Sequence, residues 1–148
     1  MINPADVQKL REMTGAGVMD CKKALQDADG DFDKAKILIG ERGVIKAQKK
    51  ADREATAGLV ESYVHNGRVG VLLEINCETD FVARTDQFKE LARNVAMQIS
   101  AMNPEGSAEL LAQPYIKDPN TTVDGLIKGA IAKLGENIKL GRFVRYEL

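Results

Sequence analysis

The residues best suited to recognition or catalysis lie in the run 76–84 (NCETDFVAR), where a strand pattern gives way to a helix pattern. An aromatic ring, Phe81, follows a carboxylate, Asp80, at this junction. Burying a Phe side chain is worth about 1.5–3 kcal/mol, so a Phe at an Asp-marked junction needs an explanation. Either Thr79 or Asp80 caps a helix over which Phe81 folds back as a hydrophobic staple, or Phe81 is a wedge aimed at a partner. The nine residues alone favour the cap and staple.

The remaining candidates for catalysis are one histidine and two cysteines. His65 adjoins a hairpin turn in a polar setting, which favours an ordinary solvated histidine over a general base. Cys77 lies near Glu78 and Asp80, whose negative charge raises a thiol pKa and works against a reactive thiolate. The sequence has no phosphate loop, no G-x-S-x-G elbow, no H-E-x-x-H helix and no dinucleotide fingerprint after a strand. The absence of these motifs is modest evidence against an enzyme. With one His and no cysteine cluster beside it, a zinc site has too few ligands, and we expect no bound metal and no cofactor.

A basic stretch between residues 44 and 56 offers a second kind of recognition. It carries Lys46, Lys49, Lys50 and Arg53. Such a patch could contact RNA, but no aromatic residue is interleaved to stack on bases, and neighbouring acids dilute its charge. A solvated helical face is the favoured interpretation, and we expect no direct binding of nucleic acid.

Composition limits the classes of protein to which the chain can belong. The 148 residues, 44% of them apolar, provide one compact core and a small appendage. With 21 basic and 22 acidic residues the net charge is −1, so no long-range field draws the molecule to nucleic acid or anionic lipid. Cys21 and Cys77 are too few for a disulfide scaffold. Without a secretory signal or a membrane-spanning apolar run, we expect a reduced, cytoplasmic protein that does not associate with membranes.

Helical periodicity predicts a three-helix bundle in residues 1–43. Asn3 and Pro4 form a good N-cap and first helical residue. Glycine-containing breaks then divide the segment into three short amphipathic helices, the last ending at Arg42-Gly43.

Two apolar residues near the start of the second helix have two interpretations. Val18 and Met19 follow Gly17 and belong either to the helix core or to an adaptable contact surface, because Met repacks easily at interfaces. The sequence alone favours the core. The alanine content of residues 44–56 predicts that the basic stretch is a helical linker.

The pattern of the remaining residues, 57–148, predicts an α+β core. Asn66-Gly67 between two β-rich runs is a strong hairpin signal because both residues tolerate the positive φ of a type I′ turn. Helical spacing predicts one helix from Asp86 to Met102 and another from Val123 that closes at Gly135.

The last stretch alternates between apolar and polar residues and predicts a final strand. We expect this strand to pair with the hairpin and give a three-stranded antiparallel sheet covered by helices. Arg142 falls on the apolar side of the alternation, and a β-bulge at Gly141 would explain its position there. The residues predicted to share the apolar face are Ile138, Leu140, Val144, Tyr146 and Leu148.

Several motifs together resemble one family, elongation factor Ts, which exchanges nucleotide on elongation factor Tu. The resemblance extends over nearly the whole chain. The motifs that carry it are TGAGVMDCKKAL (14–25), IKA with the following lysine pair (45–50), EINCETDFVA (74–83) and GENI (135–138).

The resemblance implies a non-enzymatic role. It implies an N-terminal unit like a ubiquitin-associated domain and an α+β dimerisation core. A protein of this kind binds the GDP form of the GTPase, weakens the binding of magnesium and nucleotide, and lets GTP enter. The residues onto which partner contacts carry over are Thr79, Asp80, Phe81 and Val82 at the strand-to-helix junction, and Arg11, Val18 and Met19 in the N-terminal unit.

One departure from the family pattern bears on oligomeric state. The family usually has a long helical excursion after Met102-Asn103-Pro104, where only residues 105–112 precede Gln113 here. With one half-core per chain, the resemblance implies a homodimer. Two other classes stay open: a binding module that grips a partner without speeding exchange, and an RNA-associated protein that uses the basic stretch.

Overall fold

The computed structural model describes residues 2–148 and confirms the predicted α+β class. A bundle of helices precedes a three-stranded antiparallel sheet that is covered by further helices. The helices are α1 (Pro4–Thr14), α2 (Val18–Asp27), α3 (Phe32–Lys50), α4 (Asp80–Ala83), α5 (Asp86–Met102), α6 (Ser107–Ala112) and α7 (Val123–Leu134), and the strands are β1 (Ala57–His65), β2 (Val69–Cys77), β3 (Pro114–Tyr115), β4 (Asp118–Thr122) and β5 (Lys139–Glu147).

The first three helices form the predicted bundle. As expected, the Asn3 side chain caps α1, accepting a hydrogen bond from the backbone N–H of Ala5 at 2.9 Å. Asp31 caps α3 in the same way. The bundle has its own small core, formed by Val7, Leu10, Cys21, Ala24, Leu25, Ala28 and Ala35.

The predicted end of the third helix at Arg42-Gly43 is wrong, since α3 continues to Lys50. A β-carbon at Gly43 would lie 3.4 Å from the β-carbon of Ala132 on α7. The glycine thus lies inside the helix at its contact with α7, where a larger side chain would hold the two helices apart.

One helix therefore serves two cores. Ala35 of α3 belongs to the core of the bundle, and Ala47 belongs to the core beneath the sheet. The helical part of the predicted linker 44–56 is the second half of α3. The division of the chain at residue 43 stays a prediction.

The hairpin and the three-stranded sheet are confirmed. Asn66 and Gly67 have φ values of 53° and 67°, as a type I′ turn requires. Strand β2 lies in the centre and pairs antiparallel with both β1 and β5. One face of the sheet packs against α5, whose predicted bounds are also confirmed.

A bulge reverses the predicted faces of β5. Gly141 and Arg142 lie opposite the single residue Glu74, so the expected bulge is present. The extra residue changes the parity of the strand: Leu140 and Phe143 both pack against the core.

The prediction of one continuous apolar face on the last strand is therefore wrong. Val144, Tyr146 and Leu148 are exposed on the side away from the helices. Arg145, expected on the polar side, instead lies on the core side and donates from Nε to the carbonyl of Ser100 on α5 at 3.1 Å.

The short segment between α5 and α7 contains a feature that the sequence did not predict. Strands β3 and β4 form a two-stranded sheet of their own. The fully buried Gln98 holds it to α5, donating to the Pro114 carbonyl at 3.0 Å and accepting from the Ile116 N–H at 2.9 Å. No helix within residues 2–148 is long and apolar enough to cross a membrane.

Candidate functional site

The junction between β2 and α4 carries an exposed aromatic side chain. We call residues Thr79, Asp80, Phe81 and Val82 the tip. Thr79 caps α4, its Oγ1 accepting from the Val82 N–H at 3.3 Å, so the capping interpretation is correct. The staple is not formed, because Phe81 is 82% exposed, and Asp80 is exposed beside it.

The underside of the tip is anchored in the protein core. Val82 is buried and packs in the main cluster, so its side chain supports the tip from below instead of facing outward. This placement argues against the expectation that Val82 contacts a partner directly. Beneath it Cys77 is fully buried and donates from Sγ to the Thr79 carbonyl at 3.2 Å. Burial raises the pKa of the Cys77 thiol, with a further contribution from the carboxylates of Glu136 and Asp80.

A carboxylate from the far end of the chain holds the start of the tip. Glu136, in the turn between α7 and β5, accepts at Oε1 from the backbone N–H groups of Glu78 at 3.1 Å and Thr79 at 3.0 Å. Its Oε2 accepts from the Thr79 hydroxyl at 2.7 Å. One carboxylate side chain therefore satisfies three donors that follow the end of β2.

The same turn also binds the C-terminal end of α3. Asn137 is buried and donates from Nδ2 to the carbonyls of Ala51 at 3.3 Å and Arg53 at 2.8 Å. Its backbone N–H donates to Glu78 Oε2 at 3.2 Å. Residues 135–137 thus join the tip, the sheet and the helix that comes from the bundle.

The cations of the basic stretch are largely engaged within the protein. Lys46 pairs with Asp20 at 2.7 Å, and Lys50 donates to the Gly135 carbonyl at 3.1 Å. Arg53 lies 3.7 Å from Glu78 Oε2. These contacts fix α3 against its neighbours and pair Lys46 and Arg53 with carboxylates, whereas Lys49 is exposed. The paired charges weaken the case for the RNA-associated class.

The bundle presents a second exposed apolar site. Met19 is 71% exposed and Val18 is 47% exposed at the start of α2. The interpretation of these residues as helix core is therefore wrong, and a contact surface is favoured. Arg11 is exposed on α1.

His65, the remaining residue considered for catalysis, contacts a tyrosine of its own strand. His65 Nδ1 lies 3.0 Å from the Tyr63 hydroxyl, and the two rings are stacked. Among residues 2–148 no group of three or more His, Cys, Asp or Glu side chains could hold a metal ion. The expectation of no metal and no cofactor stays a prediction.

The outer face of the sheet is a third exposed apolar surface. It was not predicted from the sequence because the effect of the β5 bulge on the direction of the following side chains was not taken into account. It comprises two cross-strand rows, Ser62–Leu72–Val144 and Val64–Gly70–Tyr146. At one end Arg142 and Glu74 form an ion pair at 3.3 Å. Hydrogen bonds from the Arg142 backbone and side chain lower the pKa of the Glu74 carboxyl, so both groups are charged at neutral pH and compensate each other.

Comparisons with known proteins agree on one family. The family model described as Elongation factor TS matches residues 78–148, which include the tip from Thr79 onward and Glu136. A protein from Carboxydothermus hydrogenoformans named Elongation factor Ts is 45% identical over 194 aligned residues, covering 100% of this chain and 89% of its own. Another from Heliobacterium modesticaldum is 44% identical over 194, covering 100% and 90%.

A third relative of the same name, from Nostoc, is 52% identical over 143 residues, which make up 96% of this chain and 45% of that protein. The two alignments of 194 residues are longer than the 148 residues of this chain, so those relatives contain internal residues that it lacks. The identities and the coverage leave one assignment: this chain belongs to the elongation factor Ts family.

Proposed function

We propose that this protein is a guanine-nucleotide exchange factor for elongation factor Tu in translation elongation. It binds the GDP-bound GTPase in the cytoplasm and promotes release of GDP and magnesium so that GTP can bind. It forms and breaks no covalent bond, and it needs no cofactor. The observation that carries the proposal is the aromatic ring of Phe81, which stands in solvent on a capped and braced tip.

Phe81 is suited to act as a wedge. An exposed benzyl group contributes little to the stability of its own protein, so its gain from burial is realised only when a partner covers it. The short helix α4 has a buried underside and a side-chain cap, which hold the backbone at Phe81 and so the position from which its ring extends. A backbone that is already ordered lowers the entropic cost of inserting the ring.

Asp80 supplies the electrostatic part of the proposed mechanism. Its exposed carboxylate stands beside the wedge and can disturb the water and charge network around a magnesium ion bound by the GTPase. A negative charge brought close to the phosphates also disfavours bound nucleotide. Arg11, Val18 and Met19 then provide a second grip through the bundle, separate from the wedge.

Thermodynamic linkage explains how such binding releases nucleotide. If the exchange factor binds the nucleotide-free GTPase more tightly than the GDP form, GDP binding must weaken by the same factor. A ring that fits only after the nucleotide pocket has opened supplies this difference in affinity. The exchange factor acts catalytically because the entering GTP reverses the coupling and displaces it.

A nucleotide-release assay tests the proposed function. Substoichiometric amounts of this protein are expected to speed the release of a fluorescent GDP analogue from a bacterial elongation factor Tu, with turnover over many GTPase molecules. Binding to the GTPase without faster release would instead assign the chain to the binding-module class. Release that stays at its intrinsic rate with saturating protein would overturn the proposal.

The proposal includes a homodimer formed through the outer face of the sheet. Two copies of one face can meet only about a twofold axis, so the face must complement itself. Leu72 and Val144 form an apolar row, and Gly70 leaves a notch between Val64 and Tyr146 that can receive a side chain of the second copy. Of the charges on the strands of this face, Glu74 and Arg142 compensate each other, and Lys139 lies at the end of the face, opposite Asn76. Two such sheets can therefore pack face to face.

Charge on the central strand should separate the dimer. Light scattering of wild-type protein is expected to give about twice the chain mass of 16.2 kDa, and Leu72→Asp should give the monomer, because a buried unpaired carboxylate is costly. Ile37→Asp, on the exposed side of α3, serves as a control that keeps the dimer. A wild-type mass of one chain at every concentration would contradict the dimer.

A further inference from the structure

We propose that Glu136 is a positioning residue for the tip: it acts on nucleotide exchange through the direction in which Phe81 points, without touching the GTPase itself. The inference rests on the proposed function. It also assigns to the turn after α7 a role in exchange that is separate from the folding of the core.

The hydrogen bonds of Glu136 all lie at the base of the tip. Both N–H groups at the end of β2, those of Glu78 and Thr79, donate to Oε1 at 3.1 and 3.0 Å. The Thr79 hydroxyl donates to Oε2 at 2.7 Å while its oxygen accepts from the Val82 N–H at 3.3 Å. The carboxylate therefore fixes the rotamer of the side chain that caps α4.

This geometry gives Glu136 control over α4. A four-residue helix cannot hold itself together, because each of its first N–H groups needs an outside partner. The cap on Thr79 meets part of that need, and Glu136 orients the cap. With the carboxylate removed, Thr79 can rotate, the first turn of α4 loosens, and the backbone that carries Phe81 loses its fixed position.

The burial pattern separates this role from a role in the core. Val82 and Ala83 anchor α4 from below by apolar contacts that do not involve Glu136. The two Glu136 contacts with Thr79 are exposed and the contact with the Glu78 N–H is part-buried, so their loss removes hydrogen bonds but no apolar contact of the core. Loss of Glu136 is thus expected to change the order of the tip much more than the stability of the fold.

The test compares variants at Glu136 with a matched control. Glu136→Ala is expected to lower the stimulated rate of GDP release by about 10-fold or more, since a misplacement of about 1 Å in a working constellation can cost on the order of 100-fold. Glu136→Gln keeps an oxygen for the two N–H groups and should recover most of the rate. Glu109→Ala, which removes an α6 carboxylate that accepts from the backbone N–H of Glu105, should leave the rate unchanged.

Two readouts distinguish positioning from general structure. Amide hydrogen exchange of the isolated protein should speed up at Glu78, Thr79 and Val82 in the Glu136→Ala variant, while α5 keeps its protection. In the Phe81→Ala background, adding Glu136→Ala should lower the rate by far less than it does in the wild type, because most of the effect of the carboxylate passes through the ring and only the part that passes through Asp80 remains. Should Glu136→Ala fail to fold, Thr79→Val, with Thr79→Ser as its conservative partner, removes the same cap and repeats both readouts.

The outcomes separate failure of this inference from failure of the proposed function. A normal rate for Glu136→Ala beside a damaged Phe81→Ala overturns the inference alone. The same holds if the two substitutions are additive, or if the tip amides keep their protection. A normal rate for Phe81→Ala overturns the proposed use of the tip, and the role of Glu136 with it.

Discussion

Replacing Phe81 by Ala is expected to lower the stimulated release of GDP by at least roughly 30-fold, because a central aromatic anchor contributes on the order of 2 kcal/mol or more to an interface. The free energy of unfolding should change by less than about 0.5 kcal/mol, since the ring is 82% exposed and packs against nothing that a methyl group would leave empty. Stopped-flow release of labelled GDP measures the first quantity, and urea denaturation measures the second.

The rate of GDP release stimulated by Phe81→Leu should lie between the rates for the wild type and for Phe81→Ala, because Leu keeps apolar volume without the flat ring. Ile37→Ala, at an exposed apolar position of α3 outside the tip and the outer face of the sheet, controls for loss of surface hydrophobicity. A Phe81→Ala variant that is unfolded would show that the ring stabilises the monomer and would contradict its role as a wedge.

The opposite result is expected seven residues further along the chain. Phe88 is fully buried on α5 beneath the sheet, and its truncation to Ala should cost about 3–5 kcal/mol of unfolding free energy. For a domain whose total stability is about 5–15 kcal/mol, this is a large fraction, and the melting temperature should fall by about 10 °C or more.

Calorimetry or circular dichroism measures the Phe88→Ala shift, with Phe81→Ala as a control of the same residue type. Wherever Phe88→Ala remains folded, its stimulated rate of GDP release should stay close to that of the wild type, because the tip lies on a different element. A stability loss below about 1 kcal/mol would contradict the assignment of Phe88 to the main core.

Elements whose signals are local were predictable from the sequence. Asn66-Gly67 specifies a turn by the φ values that these two residue types allow, and no distant contact is needed to interpret it. The strong helical period of α5 and the Asn3-Pro4 start of α1 are likewise local. The sheet followed from the hairpin and one further alternating stretch.

The errors arose where a distant contact decides the outcome. Glycine is typical of helix ends, but Gly43 lies inside the continuous helix α3, where it faces Ala132 of α7. The faces of β5 depend on Gly141 and Arg142 sharing one partner, Glu74, which alternation along a single strand cannot show.

The candidate site divides in the same way. The Thr79 cap depends only on neighbouring residues, so it could be predicted from the sequence. The exposure of Phe81 is not local, because it depends on what the rest of the fold leaves uncovered, and only the resemblance to a family pointed to it before the structure. Glu136 escaped prediction as a brace because its bonding partners are 57 and 58 residues away in the sequence.

Because α3 runs without a break from the bundle to the sheet, a helix joins the exposed Met19 surface to the part of the protein that carries the tip. This connection affects how strongly the two sites can bind one partner together. A flexible tether between the bundle and the sheet would have to be immobilised each time both contacts engaged the same GTPase molecule, which lowers affinity. Here the connection is already a helix, with Lys50 and Asn137 securing its C-terminal end. Under the proposed function, docking of Met19 would present Phe81 at a high effective concentration, and we expect the two contacts to combine as one bivalent ligand.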